Sequence, residues 1–294
     1  MYDIVVIGGG PAGMTAGLYA KRAGLKVVIL EKNFFGGQIV NSHKVDNYPG
    51  LPGISGYDLS DKFINQLKEL EVEMKNKNVV SCDLTGEIKK INLRKEEILA
   101  RSVIIATGAR PRKLGILGEE EYIGRGVSYC ATCDGAFYKD KIVAVNGGGN
   151  TALDDALYLA NFSKKVYLIH RRDTFRGAKT TLDKIKKNEK IEIITNNEIT
   201  KIKGNEKLES IVLKDNKELL IDGLFIAIGN EPETEIFKGQ VELTEGGYIK
   251  TNKNLETNLK MVYGAGDVVD KKLRQVVTAQ NDGAIAVNEI IERL

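Results

Sequence analysis

An α/β fold with two Rossmann-like domains, the second inserted into the first, is predicted by three features of the sequence. Residues 3–32 and 142–171 align without gaps at a constant offset of 139 positions. In each copy an apolar run meets a glycine cluster, and a helical stretch and a β-branched run follow, which is the order of a βαβ unit. Residues 102–111 and 223–232 also match, each with a glycine three positions before a proline. Finally, a length of 294 residues suits about two domains.

The repeat also predicts where the domains divide. The tail carries GAGDVV at residues 264–269 and an amphipathic helical pattern over residues 274–294, without a third glycine fingerprint. It therefore most simply completes the first domain. We predict one discontinuous domain from residues 1–112 and 244–294, and an inserted domain from residues 113–243. Apolar periodicity predicts a helix over residues 58–75, and a lysine-rich solvated helix is expected over residues 179–190.

Composition excludes several classes of protein. Lys and Arg number 43 and Asp and Glu 40, a net charge of +3, which is too balanced for a protein that coats nucleic acid or anionic lipid. The uncharged stretch at residues 4–20 contains five glycines and Pro11. Strand, turn and helix explain it better than a membrane span, and it lacks the basic start of a signal peptide. With three cysteines, two of them in a close pair, a reducing, cytoplasmic location is expected.

The first glycine cluster, GGGPAG at residues 8–13, fits the pattern G-x-G-x-x-G between a strand and a helix. Its first glycine allows a tight turn, its second lets a pyrophosphate approach the backbone, and its third lets helix and strand pack closely. The helix N-terminus offers free N–H groups to the phosphates. Glu31, 23 residues after Gly8, could accept hydrogen bonds from ribose hydroxyls. The alternative is a glycine-rich turn beside a surface glutamate.

The second cluster, GGGNTA at residues 147–152, has the G-x-G-x-x-A form, but His170 stands where Glu31 stands in the first copy. Arg171, Arg172 and Arg176 follow. A carboxylate would repel a ribose 2′-phosphate, whereas guanidinium groups bind it in a bidentate manner. The second site is therefore predicted to prefer NADP(H), and the first a dinucleotide with free ribose hydroxyls. The alternative is a generic solvated basic turn, since nucleic acid does not suit a nearly neutral chain.

Cys130 and Cys133 form a C-x-x-C pair just before the second cluster. A zinc site needs four ligands, and the remaining candidates, Cys82, His43 and His170, have no metal-like spacing, so no metal is predicted. Two inert buried thiols are a second possibility. A redox-active dithiol is favoured, because C-x-x-C geometry lowers a thiol pKa and permits a small-ring disulfide.

Asp134 follows the pair directly. Thiol–disulfide exchange needs protons to be moved to and from sulfur, and a carboxyl with a raised pKa could move them. The alternative is that Asp134 and Gly135 are simply a turn pair. Cys82 is expected to be a structural strand thiol.

The chain resembles the low-molecular-weight bacterial-type thioredoxin reductases over essentially its whole length. The matching motifs are GGGPAG at residues 8–13, GGQ at 36–38, DNYPG at 46–50, ATGA at 106–109, YCATCDG at 129–135, GGGNTA at 147–152, HRRDTFR at 170–176, GAGDV at 264–268 and RQVVTA at 274–279. Many flavoproteins share the two glycine motifs, so the C-A-T-C-D sequence before the second loop is the more specific signal.

The resemblance implies FAD in the first site and NADPH in the second, with electrons passing from NADPH to FAD and from FAD to the Cys130–Cys133 disulfide. Our own hypothesis adds Asp134 as proton donor. The resemblance assigns to the FAD site Gly8, Gly10, Pro11, Ala12, Gly13, Glu31, Lys32, Gly37, Gln38, Asn47, Ala106, Thr107, Gly108, Gly266, Asp267, Arg274, Gln275 and Val276. It assigns to the NADPH site Gly147, Gly149, Asn150, Thr151, Ala152, His170, Arg171, Arg172 and Arg176.

The resemblance further implies a homodimer that reduces thioredoxin, with the second domain rotating against the first about a two-stranded hinge near residues 114–118 and 237–243. Alternatives are a related reductase for a glutaredoxin-like or peroxiredoxin-linked partner, a ferredoxin-linked reductase, and a redox-sensing module that binds nucleotide without turnover. The intact arginine cluster argues against the ferredoxin-linked enzyme. The intact C-x-x-C pair argues against the sensing module.

Overall fold

The computed structural model describes residues 1–42 and 44–294, which form two compact units. Unit 1 comprises Met1–Arg110 and Glu231–Leu294, and unit 2 comprises Pro111–Asn230. Residues 231–243, which the sequence had placed in the inserted domain, belong to unit 1, where Phe237 and Val241 pack in the same apolar cluster as Val5 and Ile7.

The strands are β1 (Tyr2–Ile7), β2 (Val27–Glu31), β3 (Glu73–Asn76), β4 (Val79–Asp83), β5 (Lys89–Leu93), β6 (Glu97–Ile105), β7 (Ala109–Pro111), β8 (Val127–Ser128), β9 (Ile142–Asn146), β10 (Lys165–Ile169), β11 (Ile191–Ile194), β12 (Ile199–Gly204), β13 (Leu208–Leu213), β14 (Glu218–Leu220), β15 (Gly223–Ile226), β16 (Asn230–Pro232) and β17 (Val262–Gly264). The α-helices are α1 (Pro11–Arg22), α2 (Gly56–Glu69), α3 (Ala131–Asp134), α4 (Asn150–Ala160), α5 (Lys179–Lys186) and α6 (Val276–Ile291), and short 3-10 helices span Gly37–Asn41, Gly135–Tyr138, Glu235–Phe237 and Gly266–Val268.

The main sheet of unit 1 has the order β3-β2-β1-β6-β5-β4, and β17 also pairs with β6. Strands β3, β2, β1, β6 and β17 run parallel, whereas β4 and β5 form an antiparallel extension. Val5 and Ile7 face one apolar cluster, and Ile4 and Val6 face another on the opposite side of the sheet. Burial of both faces explains why residues 4–7 of β1 are continuously apolar and do not alternate with polar residues.

Unit 2 repeats this plan in a five-stranded parallel sheet of order β11-β10-β9-β15-β8, to which a β12-β13-β14 antiparallel sheet is added. The elements β9, α4 and β10 occupy the positions in the repeat that β1, α1 and β2 occupy in the first copy. The predicted α/β architecture is therefore observed in each unit.

The two chain segments that join the units, β7 and β16, pair with each other as a two-stranded sheet. Each follows a glycine of left-handed conformation, Gly108 (φ 72°) and Gly229 (φ 104°), where the chain turns away from its sheet. This corrects the hinge position expected at residues 114–118 and 237–243. Leu117 instead forms a bridge with Lys201 inside unit 2, and Phe237 lies in the core of unit 1.

Two helices end earlier than the periodicity predicted. The first, α2, ends at Glu69 because Glu71 adopts a left-handed conformation (φ 53°) and the Val72 amide N–H donates to the Leu67 carbonyl. Residues 73–75, predicted as helix, lie in β3. The second, α5, ends at Lys186, four residues before the expected end. Among the described residues no helix is long and apolar enough to cross a membrane.

Candidate functional site

Three segments meet at one edge of the unit 1 sheet because each follows the carboxyl end of a parallel strand. Gly8 follows β1, Ala106 follows β6 and Ala265 follows β17, and these three strands are neighbours in the sheet. This edge is where ligands bind in open α/β sheets. The first glycine loop, the ATGA motif and the GAGDV motif are thereby brought together.

The three fingerprint glycines of unit 1 meet different demands. A Cβ on Gly8 (φ 115°) would lie 2.2 Å from the Ala106 carbonyl oxygen, and one on Gly13 would lie 1.9 Å from the Gly8 carbonyl oxygen. Both positions are therefore set by internal packing. A Cβ on Gly10 would have the Gly37 Cα at 3.8 Å as its nearest neighbour, so packing within the chain does not require a glycine there. That open side suits the approach of a ligand to the backbone.

The start of α1 fits an anionic group. Gly10 is the N-cap and gives no side-chain cap, Pro11 opens the helix, and the first turn carries no acidic side chain. The first amides of a helix have no intrahelical partner and carry partial positive charge. The residues present therefore fit a diphosphate at this position.

Asp267 provides a second test of whether the residues at this edge of the sheet fit a bound ligand. Its Oδ1 atom is buried and has no hydrogen-bond partner among the described residues. Burial raises the pKa of this carboxyl, while Lys271 and Arg274 act in the opposite direction. A buried acceptor without a donor is costly, so this atom fits a ligand hydroxyl, such as one on the ribityl chain of a flavin.

The Glu31 carboxylate is held against the glycine loop at the end of β2. Its Oε2 accepts a hydrogen bond from the Gly9 amide (2.7 Å) and its Oε1 accepts one from the Asn33 amide (2.8 Å). Gly37 and Gln38 begin the following 3-10 helix, and the Gly37 Cα atom lies 3.8 Å from the position of a Cβ built on Gly10. The GGQ motif therefore lies beside the first glycine loop.

The contact between the GGQ motif and the loop is close. A Cβ added to Gly37 (φ 65°) would lie 3.0 Å from the Gly10 Cα atom. Only a glycine at position 37 therefore allows the two backbones to approach at this distance.

Three further predicted residues converge on Glu233. Lys32 Nζ pairs with the Glu233 carboxylate (3.1 Å), and the Thr107 hydroxyl donates to the Glu233 carbonyl oxygen (2.7 Å). The Glu233 amide in turn donates to the Gly108 carbonyl oxygen (3.0 Å). These contacts tie the ATGA segment to the chain that follows β16.

The start of α6 brings another pair together. Asn47 Nδ2 donates to Oε1 of Gln275, the N-cap of α6 (2.9 Å), and Val276 is the first helical residue. Arg274 Nε donates to the Asp267 carbonyl oxygen (3.3 Å), and its guanidinium lies 4.2 Å from the centroid of the Tyr248 ring. The RQ motif is therefore fixed beside the GAGDV segment.

The second glycine loop has the same geometry as the first. A Cβ on Gly147 would lie 2.3 Å from the Ala227 carbonyl oxygen, whereas a Cβ on Gly149 would have no atom within 4 Å. Gly149 is the N-cap of α4, whose first turn, with Asn150, Thr151 and Ala152, carries no acidic side chain. The Asn150 side chain accepts a hydrogen bond from the Ala178 amide (2.7 Å).

The basic loop of unit 2 is attached to this glycine loop, since the Arg176 amide donates to the Gly148 carbonyl oxygen (2.8 Å). The side chains of Arg171, Arg172 and Arg176 are exposed, and none has a carboxylate partner among the described residues. The His170 ring is buried against Gly148 instead. Burial lowers the pKa of His170, and the nearby arginines lower it further. The imidazole is therefore buried beside the glycine loop, while the guanidinium groups stay exposed.

Cys130 and Cys133 form a disulfide with a Cα–Cα distance of 5.3 Å. Cys130 is the N-cap of the single-turn helix α3, and the Cys133 amide donates to the Cys130 carbonyl oxygen (3.2 Å). Both cysteines are partly exposed. A disulfide at a partly exposed C-x-x-C turn has the access that thiol exchange with an external partner requires.

Asp134 lies in the same turn, and its Oδ2 accepts a hydrogen bond from the Ser128 hydroxyl (2.6 Å). Burial raises the pKa of the Asp134 carboxyl, while the bond from Ser128 acts to lower it. The Ser128 Oγ also accepts a hydrogen bond from the Cys130 amide (3.1 Å). A carboxyl whose pKa is raised therefore lies one residue from the disulfide.

Sequence reasoning missed two residues of the site, Ser128 and Asp282. No sequence signal marks Ser128, which lies at a strand end. Asp282 is buried on α6, where it accepts hydrogen bonds from the Gly266 amide (2.9 Å) and from Lys271 Nζ (2.5 Å). A charged residue within the apolar face of a helix was the available signal.

The surroundings of the remaining cysteine, Cys82, fit a structural thiol. Cys82 lies in β4, and burial raises the pKa of its thiol to about 11. His43, weighed above as a zinc ligand, lies outside the described residues. Among residues 1–42 and 44–294, no group of three or more His, Cys, Asp or Glu side chains is arranged to hold a metal ion.

Known proteins resemble this chain over nearly its whole length. A family model described as pyridine nucleotide-disulphide oxidoreductase matches residues 2–283. The thioredoxin reductase of Peptoclostridium acidaminophilum is 45% identical over 301 residues, which cover 98% of this chain and 96% of that protein.

Solved structures give the same result. A thioredoxin reductase from Streptococcus pyogenes has a TM-score of 0.94 and 40% identity, covering 100% of this chain and 99% of the other. The Lactococcus lactis thioredoxin reductase in its FR conformation has a TM-score of 0.68 and 41% identity, covering 99% and 98% of the two chains.

Proposed function

Because this chain belongs to the pyridine nucleotide-disulphide oxidoreductase family, we propose that it reduces thioredoxin with electrons from NADPH, passed through FAD and the Cys130–Cys133 disulfide. The family predicted from the motifs is confirmed, and with it the use of a flavin and of NAD(P)H. The observation that carries the proposal is the disulfide itself, which lies one residue from the partly buried carboxyl of Asp134.

The residues of unit 1 support FAD as the flavin. A dinucleotide has the diphosphate that the start of α1 fits, whereas a mononucleotide would leave that end of the site unused. Asp267 would hold the ribityl chain through its unpartnered Oδ1. The N-terminus of α6, capped by Gln275, would direct partial positive charge toward the isoalloxazine. Bound FAD supplies a two-electron relay between a nicotinamide and a disulfide.

The basic loop supports NADPH as the electron donor. Arg171, Arg172 and Arg176 are exposed and without carboxylate partners among the described residues, so their guanidinium groups are available to a 2′-phosphate. Hydrogen bonds from the backbone fix the loop beside the start of α4. A dinucleotide whose diphosphate lies at that helix end would place its ribose near this loop.

The conversion of the disulfide to two thiols takes two electrons and two protons. Two electrons and one proton originate from NADPH as hydride, and the second proton comes from solvent. The reduced pair then passes two electrons and two protons to the disulfide of thioredoxin, and the pair returns to its disulfide. We propose that Asp134 delivers and accepts a proton at the Cys130–Cys133 pair. Its hydrogen bond from Ser128 keeps the carboxyl oriented in the same turn as the cysteines.

We also propose a cytoplasmic location and a homodimeric state. A reducing compartment suits three cysteines of which two form a redox pair. The dimer rests on the resemblance described above.

Replacement of one sulfur tests the proposal. Cys133→Ser should leave a yellow protein whose flavin is bleached by NADPH without oxygen, but it should abolish thioredoxin reduction because no disulfide can form. Cys82→Ser, at the buried cysteine, is the matched control and should keep full turnover. Turnover by Cys133→Ser equal to that of the unmodified protein would disprove the proposed role of the pair.

A further inference from the structure

Glu119 is a buried carboxylate that the mechanism above does not use. Its side chain accepts three hydrogen bonds although only 1% of the residue is exposed. Oε1 accepts from the Leu114 amide (2.8 Å) and from the Tyr129 hydroxyl (2.8 Å), and Oε2 accepts from the Gly115 amide (2.7 Å). One carboxylate therefore joins two segments of unit 2.

The first segment enters unit 2 from the paired crossing strand β7. Its start is fixed by the Arg112 amide, which donates to the Gly229 carbonyl oxygen (3.0 Å), and its end by Leu117, whose carbonyl oxygen accepts from the Ile202 amide (3.0 Å). Leu114 and Gly115 lie between these points, where Glu119 holds them.

The second segment carries the disulfide and has little regular structure to hold it. Strand β8 pairs with β15 over only Val127 and Ser128, and α3 is a single turn of four residues. Tyr129 is the residue between the end of β8 and Cys130. Side-chain contacts must therefore set the direction in which the chain leaves the sheet.

Because the Glu119 carboxylate is buried, it needs the hydrogen-bond donors that both segments supply. A buried carboxylate is costly unless donors satisfy it, and hydrogen bonds to charged groups contribute more than hydrogen bonds between neutral groups. Burial, together with Glu119, raises the pKa of the Tyr129 phenol, so the hydroxyl remains a donor at neutral pH.

We infer that Glu119 and Tyr129 are positioning residues for the Cys130–Cys133 pair: their hydrogen bond fixes the disulfide segment against the segment that enters unit 2, and so sets the geometry in which the disulfide takes up electrons. The inference rests on the proposed function. The pair takes no part in the bonds that form and break, since the two electrons and two protons go to the two sulfurs.

Tyr129→Phe tests this with the holoprotein, because it removes one hydroxyl and leaves the ring. A displacement of about 1 Å can slow a reaction about a hundredfold, so we expect the thiols of Cys130 and Cys133 to appear at least about tenfold more slowly after NADPH is added without oxygen. Bleaching of the flavin by NADPH should keep its rate. Dithiothreitol should reduce the disulfide faster, because the released segment is more accessible.

Tyr122→Phe is the matched control. The Tyr122 hydroxyl also donates across 2.8 Å within unit 2, to the Gly204 carbonyl oxygen, but this contact does not reach the disulfide segment. A merely structural role of Tyr129 would change both variants alike in thermal stability and in none of the reduction rates. Equal thiol-appearance rates in Tyr129→Phe, Tyr122→Phe and the unmodified protein would overturn the inference.

A second variant, Glu119→Gln, keeps the inference testable if Tyr129→Phe fails to fold. Glu119→Gln keeps the size of the side chain, and the same thiol-appearance and flavin-bleaching rates are measured for it. If neither Tyr129→Phe nor Glu119→Gln folds while Tyr122→Phe does, Glu119 and Tyr129 serve folding and the inference is wrong. Failure of the unmodified protein to form thiols with NADPH would instead count against the proposed function.

Discussion

Three aspartates, Asp134, Asp155 and Asp267, have side-chain pKa values raised chiefly by burial. Asp134 adjoins the disulfide and Asp267 has an oxygen without a partner among the described residues, and both have a role in the proposed function. Asp155 lies on α4 and has no such role in the proposed mechanism. Its titration should therefore appear in stability rather than in turnover.

The pKa of Asp155 is raised to about 7, by burial first and by the Asp154 carboxylate second, from an ordinary value of 3.8. Between these values the folded protein keeps a proton that the unfolded chain has lost, so stability falls by up to about 1.4 kcal/mol for each pH unit. Asp155→Asn removes this penalty. We expect its gain in urea midpoint over the unmodified protein to be larger at pH 8 than at pH 5.

Asp154→Asn is the control for that measurement, since Asp154 is exposed on the same helix. It should show little gain at either pH. A gain for Asp155→Asn that is the same at pH 5 and pH 8 would contradict the raised pKa.

Arg171 and Arg172 decide between the two pyridine nucleotides if their side chains bind the 2′-phosphate. Hydrogen bonds to charged groups contribute about 1.5–3 kcal/mol, so replacing both residues by alanine should weaken NADPH binding at least about tenfold. NADH binding should change little because NADH has no 2′-phosphate. Titration of both nucleotides measures the difference, with Arg94→Ala, at an exposed turn of unit 1, as control. Equal loss for both nucleotides would remove the argument for NADPH.

The elements of the site are two copies of strand, glycine loop and helix, in which equivalent glycines meet equivalent demands. Gly8 and Gly147 both pack against the carbonyl of an alanine that follows the neighbouring strand. At the start of a helix, a Cβ on Gly149 would have no atom within 4 Å, and one on Gly10 would make only an ordinary contact, 3.8 Å from the Gly37 Cα. Packing therefore accounts for the first glycine of each loop, and approach of the proposed dinucleotide would account for the second.

Alanine substitutions in the first loop should separate these two demands. Gly10→Ala meets no atom closer than 3.8 Å and should retain the fold, but its Cβ should obstruct the diphosphate and lower FAD affinity by more than about 1.4 kcal/mol, a factor of ten. Gly13→Ala would place a Cβ 1.9 Å from the Gly8 carbonyl oxygen and should lower stability by about 1–3 kcal/mol. Thermal unfolding of the apoprotein and flavin content after purification measure the two effects.

A fall in apoprotein stability for Gly10→Ala as large as that for Gly13→Ala would contradict this assignment.

The end of α2 shows the limit of such local reasoning. Its apolar periodicity continues to Leu70, but Glu71 turns the chain and the next residues join the sheet as β3. Pairing with β2 overrides the helical pattern there.

At the scale of the whole molecule, the chain forms two units joined by the paired segments β7 and β16. The rotation that the resemblance implies stays a prediction, as do the assignments of FAD to unit 1 and NADPH to unit 2. The crossing point is displaced from residues 114–118 and 237–243 because the strands leave their sheets at Gly108 and Gly229.

Association can be tested at this scale as well. We predict a homodimer with twice the chain mass of 32.3 kDa. Unit 1 exposes the large apolar side chains of Phe34, Tyr57 and Leu273, which association could cover. Sedimentation equilibrium over a dilution series measures the mass. A single species of 32.3 kDa at micromolar concentration would contradict the dimer.

Local patterns along the chain were enough to predict the two βαβ copies, the insertion of one within the other, the glycine loops and the redox pair. They were enough because glycine requirements, apolar runs and the C-x-x-C spacing depend on residues close in sequence. The bonds of Glu119 with Tyr129 and of Asp282 with Gly266, and the raised pKa of Asp134, were not predictable in this way. They depend on burial and on contacts between segments that meet only after the sheets have formed.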